Sequence, residues 1–94
     1  MAKWLDSGTR RDVCVVLYAG GELRAPQLKR RLETHYDARL DPKRFYGPLD
    51  ALVESGYVER RVDGLDDVYA LTDAGARAVR DHYAWLRELV EGEE

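Results

Sequence analysis

Residues 41–72 read DPKRFYGPLDALVESGYVERRVDGLDDVYALT, and this stretch decides the architecture. Asp41 suits an N-cap and Pro42 the first turn of a helix. Phe45, Leu49, Leu52 and Val53 then recur at i, i+4, i+7 and i+8, the spacing of one core-facing stripe, before Ser55-Gly56 stops the helix. Directly afterwards the helical period ends. Tyr57–Val62 and Val68–Leu71 read as strands, and Asp63-Gly64-Leu65-Asp66-Asp67 between them is turn chemistry for a hairpin. Thr72 caps a further helix that runs to about Val90, with Asp73 at its positive end.

Working toward the N-terminus, Asp37–Leu40 is a short loop, and before it Pro26 opens a helix with Leu28, Leu32, His35 and Tyr36 along one stripe. Glu22-Leu23-Arg24 suits a short strand. The run Val13–Ala19 is apolar throughout, and its β-branched content would also suit a buried strand. Ser7 or Thr9 as a cap, with Thr9 and Asp12 approximating a capping box, and Gly20-Gly21 as a stop favour a helix buried nearly all round. The order is helix, short strand, helix, helix, hairpin, long helix. That is a winged helix-turn-helix: α+β, mostly α, expected as one domain over residues 1–94, with core and wing in 7–71 and the long helix in 72–91.

Composition agrees with one small globular unit. The chain has 94 residues, 45% apolar and 35% charged, which excludes a disordered tail. Cys14 is the single cysteine, so no internal disulfide reinforces a thin core, and a second copy is a natural way to bury more apolar surface. The longest uncharged stretch, Val13–Gly21, is too short to span a membrane, and the N-terminus carries no apolar run of a signal peptide. A soluble cytoplasmic protein is expected. Arginine outnumbers lysine twelve to three and Asp plus Glu total 18, a balance that points to a salt-loving, haloarchaeal source, although a GC-rich genome alone favours some of the same residues.

The motifs Tyr46-Gly47-Pro48-Leu49-Asp50-Ala51-Leu52, Glu54-Ser55-Gly56-Tyr57-Val58-Glu59 and Tyr69-Ala70-Leu71-Thr72-Asp73-Ala74-Gly75 resemble the PadR-like winged-helix transcriptional regulators. The resemblance covers roughly residues 9–90 and implies a DNA-binding regulator. Gly47 stands between Tyr46 and Pro48, where that family usually places proline directly after the tyrosine.

Charge is unevenly spread around the net −3. Residues 24–62 carry nine Lys/Arg against six Asp/Glu, whereas residues 63–94 carry three against nine. A basic middle suits a polyanion. Lys43 and Arg44 lie on the side of the third helix opposite its core stripe and at its N-terminal end, the end that enters a major groove. Gly47 permits close approach of the backbone, and the Tyr46 hydroxyl can reach a phosphate. Arg24, Gln27 and Lys29 surround the start of the second helix, and Arg39 precedes the third; these would position the protein on phosphates without reading sequence. Arg60 and Arg61 on the wing are further candidate DNA contacts, but they point to opposite faces of the strand, so only one of them is expected to contact DNA at a time. Asp63, Asp66 and Asp67 at the wing tip oppose a minor groove, so either the wing stays clear or loosely bound cations screen them. No cofactor or metal is expected otherwise.

On the last helix, Val79, His82, Tyr83, Leu86, Leu89 and Val90 recur at three- and four-residue intervals. With Trp4, Leu5 and Trp85, they form the expected homodimer interface, and a twofold dimer implies a palindromic double-stranded operator. Cys14 reads as a buried apolar group and not a redox switch. His35 and His82 lack companions at metal spacing. No nucleophile with a base and no phosphate-cradling loop is apparent, so no enzyme is expected. The rival to a DNA-binding regulator is a winged helix used for protein–protein contact, which the acidic wing would suit.

Overall fold

The computed structural model describes residues 8–92. In chain order they form α1 (Gly8–Gly20), β1 (Glu22–Arg24), α2 (Ala25–Tyr36), α3 (Pro42–Glu54), β2 (Val58–Asp63), β3 (Asp66–Leu71) and α4 (Asp73–Glu91). Ser7, Trp4 and Leu5 lie outside the described residues.

Helix α3 starts where Asp41 accepts the Arg44 backbone N–H at 2.8 Å. It ends in a Schellman motif: the Tyr57 N–H donates to the Leu52 carbonyl at 3.0 Å and the Gly56 N–H to the Val53 carbonyl at 3.1 Å, with Gly56 at φ +84°. The helix continues across Pro48, which has no N–H to give the Arg44 carbonyl. Phe45, Leu49 and Leu52 face inward at 1% exposure or less.

The turn between α2 and α3 is stapled twice. Asp37 takes the left-handed conformation (φ 55°) and donates its N–H to Thr34, while Glu33 Oε2 accepts the Leu40 N–H at 2.8 Å. That bond first, and Lys29 second, hold the Glu33 carboxyl below its ordinary range.

The sheet has the order β1-β3-β2, antiparallel throughout, with Leu23 opposite Tyr69 and Arg60 opposite Tyr69 on the other side. The hairpin is tighter than the five-residue turn expected. Asp63 pairs with Asp66 in the ladder, leaving Gly64 and Leu65 as a two-residue turn with Gly64 at φ +69°, the glycine-first pattern of a type II′ turn. Strand register thus extends through the aspartates that composition alone assigned to the loop.

Helix α1 is one-faced, not buried nearly all round. Val13, Cys14 and Leu17 enter the core, whereas Val15 and Tyr18 are exposed. Asp12, expected in a capping box, instead accepts the Tyr36 hydroxyl at 2.6 Å and ties α1 to α2. His35 is exposed beside that contact, off the buried stripe.

Thr72 joins the wing to α4. Its Oγ1 accepts the Gly75 N–H at 3.1 Å and donates to the Gly56 carbonyl at 2.6 Å, and its N–H reaches the Tyr57 carbonyl. A Cβ on buried Gly75 would drive into that same Tyr57 carbonyl oxygen. Gly75→Ala is therefore expected to cost about 1–3 kcal/mol, read as a lowered thermal midpoint, with exposed Ala74→Ser close to neutral. An unchanged midpoint in Gly75→Ala would contradict this packing.

Candidate nucleic-acid interface

A shared surface is formed by the first turns of α2 and α3 and by the wing, but its cations are not equivalent. Lys43 and Arg44 are exposed on the first turn of α3, and their side chains make no ion pair among the described residues. Tyr46 beside them is 40% exposed, its ring edge-on to buried Phe45 at 4.8 Å. Nothing lies within 4 Å of where a Gly47 Cβ would stand, so the helix backbone is open to approach there. Arg39 is exposed just before the helix.

The remaining candidates are engaged within the protein. Gln27 Oε1 accepts the Arg24 backbone N–H at 3.0 Å at the start of α2. Lys29 pairs with Glu33 at 3.2 Å. Arg60 lies 3.8 Å from Asp50 on α3, and Arg61 turns the other way, to Glu22 on β1 at 2.9 Å, as strand alternation requires. The Arg24 guanidinium, at the end of β1, contacts Asp63 at 2.9 Å and Asp66 at 3.6 Å. Two of the three wing aspartates thus already face an arginine, and the wing tip is less negative than its composition suggests. Its outermost residues are apolar: Val62 and Leu65 are 73% and fully exposed. The turn-forming character of the segment masked that feature in the sequence.

The apolar stripe of α4 divides in two. Gly75 and Val79 are its buried residues, so Val79, expected at a partner interface, belongs to the chain's own core. Beyond it, His82 is half-buried and stacks on Trp85, while Tyr83, Leu86, Leu89 and Val90 are exposed. Val15 and Tyr18 of α1 continue this surface, lining with Leu86 a groove of about 670 Å³ between α1 and α4. The partition has a geometric cause: a helix of 19 residues outruns the three short helices and the small sheet available to cover it.

Burial pushes the Cys14 thiol up to about 12, and burial together with the bond to Asp12 pushes the Tyr36 hydroxyl up to about 12. Both groups ionise at lower pH in the unfolded chain, so the stability linked to their protonated forms is fully present below about pH 9. Stability then falls as pH rises toward 12. Urea midpoints are expected to hold steady to about pH 8.5 and decline above pH 9; a flat profile to pH 11 would contradict the burial of both groups. The folded protein should also leave Cys14 unreacted with maleimide until denaturant is added.

Among the described residues, no group of three or more His, Cys, Asp or Glu gathers as a metal site, and no helix is long and apolar enough to cross a membrane. No protein-family model matches the chain. Its helix-turn-helix, three-stranded wing and long last helix nevertheless place it, by fold, among the winged-helix transcriptional regulators. In particular it is similar to RosR of H. salinarum, 29% identical over 94% of this chain and 80% of that one, with a TM-score of 0.86. The S. aureus MepR–DNA complex shares the fold at 19% identity, with a TM-score of 0.77 over 92% of this chain and 68% of MepR. Among curated proteins, a riboflavin kinase of Thermofilum pendens is 35% identical over 71 residues. The chain spans only 31% of that enzyme's length, so the likeness concerns a segment of the kinase.

Proposed function

We propose that this chain is a homodimeric, sequence-specific double-stranded DNA-binding regulator of transcription that inserts the N-terminal end of α3 into the major groove. The observation that carries this reading is the pair Lys43 and Arg44, exposed on the first turn of α3 with no acidic partner among the described residues, beside an open Gly47 backbone. An arginine so placed can grip the two major-groove acceptors of guanine, for about 1–3 kcal/mol of discrimination. The similar fold of MepR, solved with DNA, supports the same use of this surface. Gln27, Lys29 and Arg39 then act on the phosphate backbone, and Tyr46 joins them.

The exposed half of α4 supplies the second copy's contact, with Tyr83, Leu86, Leu89 and Val90 at its centre and Trp85 and half-buried His82 beside them. Trp4 and Leu5 are further candidates. Twofold pairing sets two α3 helices about 34–36 Å apart and implies a palindromic operator. Leu86→Glu with Leu89→Glu should convert the dimer to a folded monomer in light scattering and weaken operator binding; a variant that stays dimeric would refute this interface.

The PadR-like motifs of α3 and the strand-to-helix junction, and the acid-rich, lysine-poor composition, support a PadR-like regulator working in the cytoplasm of a salt-loving cell. In such a medium, cations near Asp67 and the outer faces of Asp63 and Asp66 would be taken up on DNA binding and offset the counterions released from phosphates. Fluorescence anisotropy with promoter and random duplexes across a range of KCl tests function and ionic response together. Tighter binding to one promoter is expected, with a slope shallower than the number of cations in the site implies. Absence of binding to any duplex would contradict the reading.

A further inference from the structure

Arg24 occupies an unusual position for a phosphate-binding side chain, because the protein's own wing already fills its guanidinium. Nη1 donates to the Asp63 carbonyl oxygen at 3.0 Å and Nη2 to Asp63 Oδ2 at 2.9 Å. Asp66 Oδ2 lies 3.6 Å from Nη1. The Asp63 carboxylate is in turn 3.7 Å from Arg61 Nη1, so it bridges two arginines from different strands. The side chains of Arg24 and Asp63 are 41% and 47% exposed, leaving the pair open to competition from solvent-borne anions. Beside them, Lys29, Tyr46, Leu65 and Asp66 line a hollow of about 310 Å³ between the first turn of α2, α3 and the wing. A DNA strand following that hollow would bring a phosphate to the Arg24 fork, where phosphate and carboxylate compete for the same N–H groups.

Resting on the DNA-binding reading above, we propose that Asp63 is an internal competitor for DNA phosphate that sets affinity through Arg24. In the free protein its carboxylate holds Nη2. On DNA a backbone phosphate takes Nη2, while the Asp63 carbonyl keeps Nη1 and so keeps the guanidinium aimed at the strand. Salt screens the internal pair as well as the phosphate contact, so Arg24 adds little to the ionic-strength dependence as long as Asp63 is present. Asp63 is thus a positioning residue whose removal both strengthens binding and exposes one further salt-sensitive contact.

The test is a double-mutant cycle on the full chain, measured by anisotropy with one fixed duplex across a KCl series. At low KCl, Asp63→Asn is expected to bind about two- to fivefold tighter, the range for one exposed charge pair. Its slope of log K against log[KCl] should steepen by about 0.9, the signature of one added phosphate contact. In the Arg24→Gln background the same Asp63→Asn change should alter affinity and slope no more than Asp67→Asn does in the wild type. Asp67→Asn removes an equal charge from the same wing without a contact to Arg24 among the described residues, and it reports the general effect of charge. Equal gains in both backgrounds, or gains matched by Asp67→Asn, would overturn the competitor and leave only net charge. Weaker binding by Asp63→Asn, with faster hydrogen exchange in β2 and β3, would overturn it in favour of a wing brace. Wild-type protein that binds no duplex at any KCl would overturn the DNA-binding reading itself, and this inference with it.

Discussion

Lys43→Glu combined with Arg44→Glu is expected to lower affinity for duplex DNA by about 100-fold or more, while thermal midpoint and oligomeric state stay as in the wild type. The size follows from reversing two cations: each loses a charge-assisted contact and gains repulsion from the phosphates, together about 3 kcal/mol or more. The specificity of the effect follows from placement. Both side chains are exposed and make no ion pair among the described residues, so folding loses nothing when they change. Arg44 contributes to the Asp41 cap through its backbone N–H alone, which glutamate also provides. Anisotropy and circular dichroism on one sample decide the matter. Retained DNA binding would move the DNA-contacting surface away from the first turn of α3; lost folding would show that these residues are structural.

Phe45→Ala should have the largest effect on stability, about 3–5 kcal/mol. Phe45 is 1% exposed and sits where α3 packs between α1 and the wing; its removal leaves a cavity that Leu49 and Leu52, already fully packed, cannot fill. In a domain of this size the loss is a large part of the whole folding free energy. The same ring supports Tyr46 edge-on, so the variant should also lose DNA binding in proportion to the unfolded fraction. Urea denaturation measures it, and a loss under about 1 kcal/mol would mean that α3 is not seated by this side chain.

The element order was readable because its punctuation is chemical and local. Asp41, Pro42, Gly56 and Thr72 cap, open or stop elements through contacts within four residues or to the adjoining turn, and they do so in the structure. What escaped was the spatial pairing of distant charges. Arg24 and Asp63 are 39 positions apart, and no periodicity reports that a strand end and a wing tip will meet. Arg24 and Arg61 read as candidate DNA contacts alongside Lys43, but in the structure the two arginines face carboxylates. Val79 and Leu86 share one helical stripe, and periodicity does not separate the half that meets its own core from the half that is left exposed. Helix α1 misled for the opposite reason: Val13–Ala19 is uniformly apolar, so its inner and outer faces look alike until neighbours are placed around it.

In the proposed homodimer, two copies of α3 reach successive major grooves from one face of a duplex. Hydroxyl-radical footprinting, on a duplex selected from a random-sequence pool by the wild-type protein, tests it most directly. Two protected patches are expected, with centres about 10–10.5 base pairs apart, related by a palindrome and both erased by Lys43→Glu/Arg44→Glu. A single patch from a folded monomer, or two patches that survive the charge reversal, would contradict it.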